Sequence, residues 1–167
     1  MNPRLLALFP LALGIAGTAV AVPNDGENMS PGSRLAACAV TTVAEPPFSP
    51  PVPYSAMAPP GTFWFGTEDL WTALPTDGSW PGLRQKMFWW RPGFDGRTEQ
   101  KPQLTVVGRR LDGAGSFVRP PPATNASNAG LGGWTMLALT DIPSAGCWEI
   151  TGSYRGNMVR FNVLIVP

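Results

Sequence analysis

The stretch from Met158 to Val166 puts Val159, Phe161, Val163 and Ile165 on one face of an extended strand and Arg160 and Asn162 on the other. A period of two marks a strand that buries one face and wets the other. Just upstream runs Gly146-Cys147-Trp148-Glu149-Ile150-Thr151-Gly152, and Arg155-Gly156-Asn157 supplies a turn between the two. The pair reads as the closing hairpin of a β-domain. Further strand signals fall at Thr62–Phe65, Leu70–Leu74, Lys86–Arg91, Gln103–Leu111 and Trp134–Thr140, separated by Pro, Gly and Asp turn clusters. No long segment keeps a helical period. Short strands at this spacing predict an all-β fold, a single immunoglobulin-like antiparallel β-sandwich over residues 61–167. Its expected core is Phe65, Leu70, Leu104, Val106, Leu137, Trp148, Ile150, Phe161, Val163 and Ile165.

Residues 22–60 have a different composition. Prolines stand at 46, 47, 50, 51, 53, 59 and 60. Proline lacks an N–H and fixes φ, so this stretch is neither helix nor central strand. It reads as an extended Pro-rich arm or linker carrying Cys38. Within it, Cys38-Ala39-Val40-Thr41-Thr42-Val43 is a β-branched run suited to lying against the domain.

Residues 1–21 read as a signal peptide. One positive charge, Arg4, precedes an uncharged stretch from Leu5 to Val22 that ends Ala19-Val20-Ala21, a small-x-small cleavage site. A membrane anchor is the competing reading, but Pro10, Gly14, Gly17 and Thr18 interrupt the run, and a spanning helix needs roughly 20 predominantly apolar residues. The expectation is a secreted or periplasmic protein cleaved near Ala21, with no membrane span in the mature chain. Leu35-Ala36-Ala37-Cys38 imitates a lipoprotein cleavage box, yet the polar residues 23–34 separate it from the apolar run. In an exported chain the two cysteines, Cys38 and Cys147, read as one disulfide, with two separate buried thiols as the alternative. Cleavage removes Arg4 and brings the 12 basic residues level with the 11 acidic ones. A neutral chain lacks the electrostatic footprint of a nucleic-acid partner.

Several motifs together resemble a group of small secreted bacterial proteins of unassigned function. They are Cys38-x-Val40-Thr41, Lys86-x-x-Trp89-Trp90-Arg91, Gly108-Arg109-Arg110-Leu111-Asp112 and Gly146-Cys147-Trp148-Glu149. The likeness spans roughly residues 38–166. It implies a bacterial origin and supports pairing of the N-terminal Cys with the one in the Gly-Cys-Trp-Glu motif. It implies no activity, substrate or cofactor.

The chain has no histidine, which removes the commonest general base and transition-metal ligand. No nucleophile elbow, phosphate loop or dinucleotide fingerprint occurs, so no catalytic residue, metal ligand or cofactor is assigned. Glu68 and Asp69 are adjacent carboxylates, but a polar turn explains them. Glu149 is expected to pair with Arg109 or Arg110 across a sheet. Asn125-Ala126-Ser127 is a formal glycosylation sequon, read as chemistry of a polar loop from Ala123 to Gly130.

The binding residues expected are Lys86, Trp89, Trp90 and Arg91. Neighbours on a strand face opposite ways, so one of the two Trp joins the core and the other is partly exposed. An exposed Trp flanked by cations stacks on a ring; the alternative is a core Trp with Arg91 laid on its outer neighbour. Three function classes remain. The first is a non-enzymatic exported module contacting a protein or cell-envelope component. The second is a carbohydrate- or small-ligand-binding module using an exposed Trp. The third is an enzyme with a carboxylate-based site.

Overall fold

The computed structural model describes residues 38–131 and 133–167; the signal-peptide reading falls outside them. Ten strands follow one another: β1 (Thr62–Thr67), β2 (Leu70–Pro75), β3 (Ser79–Pro81), β4 (Arg84–Trp90), β5 (Thr105–Arg110), β6 (Ser116–Arg119), β7 (Thr124–Asn128), β8 (Gly133–Asp141), β9 (Gly146–Tyr154) and β10 (Asn157–Val166). A 3-10 turn, Ala129–Leu131, separates β7 from β8. The strands form two five-stranded sheets, ordered β1-β2-β4-β8-β7 and β3-β10-β9-β5-β6. The sheets pack face to face as a β-sandwich.

The closing hairpin is as its alternation requires. β9 and β10 pair from Gly146↔Ile165 to Asn157↔Tyr154, and Arg155 and Gly156 both take positive φ in the tight turn between them. Of the pairings, one is parallel: β3 beside the end of β10, from Leu164↔Ser79 to Val166↔Pro81. The expected all-antiparallel arrangement is therefore corrected at this edge. The chain leaves the first sheet after β2 and joins the second at β3, so it arrives running in the direction of β10.

The interior is filled from both sheets. Leu70, Leu74, Met87, Trp89, Met136 and Ala138 of the first meet Val106, Trp148, Ile150, Phe161, Val163 and Ile165 of the second. At the centre one large residue faces an absent one. The Trp89 ring lies over Gly152, where a Cβ would stand 2.3 Å from the indole. Any side chain at 152 would displace Trp89, so the pair acts as one packing unit. Leu137, expected in this core, is not part of it. It stands opposite Phe88 in the β4–β8 register, on the outer face, because its inward neighbours are Met136 and Ala138.

A second apolar layer lies outside the first sheet. Trp64, Trp71 and Trp90 are all buried there, with Phe48, Tyr54 and Ala58 of the arm packed against them. Tyr54 meets Trp71 edge-on at 4.8 Å, and Trp64 meets Trp90 likewise at 4.9 Å. The Trp64 indole donates to the Ser55 carbonyl at 2.9 Å, and the Tyr54 hydroxyl to the Arg91 carbonyl at 2.6 Å. The arm is thus a strap rather than a free linker, held by side chains where its prolines offer no ladder.

The other end of the strap is covalent. Cys38 and Cys147 form a disulfide, 109 residues apart in sequence. Val40, Leu164 and Val166 pack around it. The Thr41 N–H donates to the Asn162 carbonyl, and the Asn162 N–H returns a bond to the Thr41 hydroxyl. The strap here runs along the edge of β10 beyond the short β3. Gly78, with φ of 71°, lies directly beneath Val40, whose Cγ2 would stand 2.6 Å from any added Cβ.

Candidate functional site

The strand Arg84–Trp90 separates the four expected binding residues by direction. Trp89 points inward and is fully buried. Trp90 points outward and is also buried, 2% exposed, under the strap. The expectation of a partly exposed Trp is corrected: the two rings do face opposite ways, but both faces are covered. Arg91 stands beyond the strand, its guanidinium 5.6 Å from the Tyr154 ring centroid rather than stacked on a Trp. Its Nε is buried without a hydrogen-bond partner. Lys86 is exposed and makes no ion pair among the described residues.

Lys86 and Trp90 do come together, in a groove of about 580 Å³ on the outer side of the first sheet. It opens where β2 and β4 part. Those strands are in register only at Trp71↔Trp90 and Thr72↔Trp89, whereas β4 stays paired to β8 from Arg84↔Asp141 to Trp89↔Met136. The Thr72 hydroxyl donates to the Phe88 carbonyl at 2.8 Å, the last tie before the gap. The groove is lined by Ala73, Lys86, Phe88, Trp90, Ala126 and Leu131, with Pro59 of the strap along one side. Trp80 and Met87 also line it, from the interior. Among the described residues no acidic one lines it, so Lys86 sets the electrostatic sign of this lining.

Phe88 is the residue sequence reasoning missed. At 36% exposure it is the most accessible aromatic of this face, 6.2 Å from Trp90 ring to ring. The signal was present: Lys86, Phe88 and Trp90 share a strand face by alternation. The adjacent Trp pair drew attention away from it.

A polar cluster occupies the far end of the sandwich. The Tyr154 hydroxyl donates to Glu99 Oε1 at 2.5 Å, and Arg155 holds Glu99 Oε2 at 2.7 Å. Burial, then the hydrogen bond to Glu99, push the Tyr154 phenol up to about 12. The guanidinium groups of Arg91 and Arg155 both lie over the Tyr154 ring, at 5.6 and 5.3 Å from its centroid.

The remaining residues are placed plainly. Glu68 and Asp69 form the exposed two-residue turn between β1 and β2. Glu149 pairs with Arg109 at 3.3 Å, as the cross-sheet expectation holds. The sequon is not in a loop. Asn125 lies in β7 and donates to the carbonyls of Gly96 at 3.0 Å and Gln100 at 3.2 Å, so its amide is already engaged. The three polar residues Thr124, Asn125 and Ser127 suit an edge strand, which needs no apolar alternation. Among the described residues no group of three or more His, Cys, Asp or Glu is placed to hold a metal ion, and no helix is long and apolar enough to cross a membrane.

No protein-family model, curated protein or solved structure matches this chain.

Proposed function

We propose that this chain is an exported, non-enzymatic β-sandwich module that binds a partner protein or cell-envelope component through the outer groove of its first sheet. The single observation carrying this is a 580 Å³ groove that is apolar, centred on an accessible Phe88 and marked by one unpaired cation, Lys86. Its volume falls in the ordinary range of ligand clefts, which are mostly apolar with a few polar groups that orient the ligand. Export fits the disulfide, since such bonds persist in oxidising compartments. The second class, ring stacking on an exposed Trp, loses its support because the Trp of this strand are covered. The carboxylate-enzyme class is equally unsupported, because Glu149 is paired and Glu68 and Asp69 stand in an open turn.

The sandwich itself is best read as immunoglobulin-like. What supports this is strand order: β2-β4-β8-β7 against β10-β9-β5 follows the two-sheet order of that fold. Where the fold commonly pins the sheets with a disulfide, Trp89 and Gly152 meet instead, and Cys147 is turned to the strap.

The test is position-specific photocrosslinking in the exporting cell. A photoreactive residue at 88 is expected to capture a discrete partner, while one at Val118, exposed on the opposite sheet, does not. Equal capture at both positions, or none at 88, sinks the proposal.

A further inference from the structure

We propose that the groove takes an extended, proline-rich segment of a partner protein that carries an acidic side chain opposite Lys86. This rests on the reading above and names the chemistry of the occupant.

The strap supplies the first argument. On the adjoining half of the same face, the chain already binds a proline-rich extended segment of its own. That segment is held by two of the contacts that aromatic grooves offer to proline-rich ligands: indole rings pack against its Phe48, Tyr54 and Ala58, and an indole N–H takes one of its carbonyls. Tyr54 sits edge-on to Trp71, and the Trp64 indole donates to Ser55. Proline-rich segments suit such a face because their preformed geometry loses little entropy on binding and leaves their carbonyls free to accept.

Beyond Pro59 the groove continues this aromatic face, with no occupant among the described residues. Phe88 provides the accessible ring, with the buried Trp90 ring 6.2 Å from it. The Trp90 indole N–H is buried with no acceptor among the described residues, as are those of Trp71 and Trp89. The gap between β2 and β4 also leaves the β4 edge at Lys86 and Phe88 without a neighbouring strand on that side.

Charge gives the third argument. Among the described residues Lys86 is unpaired and no carboxylate lines the groove. An occupant with a carboxylate at that point meets a cation; one with a lysine meets a like charge. Such a rim pair contributes little affinity but favours one segment over another.

The experiment titrates a synthetic ten-residue polyproline peptide with one central glutamate into the intact disulfide-bonded chain. Indole and amide NMR resonances report the site. The expected result is a saturable shift of the Trp90 indole N–H and the Lys86–Phe88 amides, with Trp148 unmoved. Phe88→Ala should weaken binding roughly tenfold, by loss of a ring contact and its buried area. Lys86→Glu should weaken it roughly two- to fivefold, and a peptide with lysine in place of glutamate should recover the loss on that variant. Both variants change exposed side chains and leave the core intact. The proposal is overturned if no shift saturates, if a Gly/Ser peptide binds equally, or if the shifts centre on Trp64 and Trp71 because the peptide displaces the strap. Crosslinking at 88 that captures only a second copy of this chain also overturns it. A crosslinked partner at 88 with no peptide binding removes the proline-rich occupant and leaves the binding face; failure of both removes the face as well.

Discussion

The two outer faces of this sandwich obey the same alternation and end up unlike each other. Outside the second sheet, Arg109 pairs with Glu149, Arg160 is solvated, and Met158 and Val118 stand 57% and 65% exposed. Outside the first sheet, Trp64, Trp71 and Trp90 are buried as deeply as any core residue. The difference is the strap. Residues 38–42 meet the second sheet at one corner, through the Cys38–Cys147 bridge to the start of β9 and the Thr41–Asn162 bonds to β10, whereas Phe48, Tyr54 and Ala58 lie across the face of the first. One sheet therefore has a core on one side and, beyond the small cluster around the bridge, water on the other. The other sheet has cores on both sides, interrupted by one groove. A site is more readily built where apolar side chains already face outward than on a solvated face, which is why the groove lies on the first sheet.

The largest test of this contrast concerns stability. If the outer aromatic layer is a true second core, Trp71→Ala should cost as much as Trp89→Ala in the interior, about 3–5 kcal/mol each. Denaturant titration of both variants decides it. A cost below about 1 kcal/mol at Trp71 would mean that the strap does not bury the layer.

The next effect belongs to the pinned end. Closing a loop of this length with a disulfide contributes about 4–5 kcal/mol in the chain-entropy model, and removal of a native bridge commonly costs 2–5 kcal/mol. Reduction should lower stability by about that amount. It should also expose residues 38–47 to proteolysis before residues 48–60, because the second segment keeps its hold on Trp64 and Trp71. Simultaneous cleavage of both segments would show that the aromatic contacts hold the strap only while the bridge is closed.

How much of this was legible in the chain depends on what each residue's pattern reports. Val159, Phe161, Val163 and Ile165 announced their strand because a half-buried strand must alternate. β6 and β7 gave no such notice: Ser116-Phe117-Val118-Arg119 and Thr124 to Asn128 are edge strands with little or no buried stripe. The prolines at 46–60 excluded helix and central strand correctly, but they do not say where an extended segment lies. That information sat in Phe48 and Tyr54, two aromatics without periodicity, and in Trp64, Trp71 and Trp90, more indole than one sandwich interior holds. The Trp89–Trp90 alternation was readable; the cover over Trp90 was not, because it depends on a contact between residues far apart in sequence. The site suffered the same way. Lys86 and Trp90 were named, and Phe88 between them became visible as its centre only once the strap had covered the Trp.

A smaller effect follows acid. The Asp112 carboxylate accepts the Cys147 N–H at 2.9 Å and the Arg110 Nε–H at 2.7 Å. Burial pushes its pKa up, but Arg110 and the Cys147 N–H outweigh that and hold it below the ordinary carboxylate range. A carboxyl lowered in the folded state stabilises fully above its unfolded value, near 4, and the contribution is lost as pH falls through the folded value. Stability should therefore decline below about pH 4 at the bridged corner, and Asp112→Asn should remove part of that slope at a cost near 1 kcal/mol at neutral pH. Equilibrium unfolding at stepped pH reads both. An unchanged slope in the variant would place the acid sensitivity elsewhere.

The smallest effect tests the plain face. Arg109 and Glu149 pair at 3.3 Å with side chains 65% and 21% exposed. An ion pair that open gains little, because water screens it and two long side chains lose freedom to hold it. Arg109→Ala should change stability by under about 1 kcal/mol, and added salt should shrink even that. The same substitution also removes the cation that fixes Glu149, so it probes whether this carboxylate does anything besides pairing. A large loss of stability would mean that the second sheet's outer face carries packing it does not show. Loss of partner capture at residue 88, a position on the opposite sheet, would mean that the two faces are coupled and that the contrast between them is one of cover, not of role.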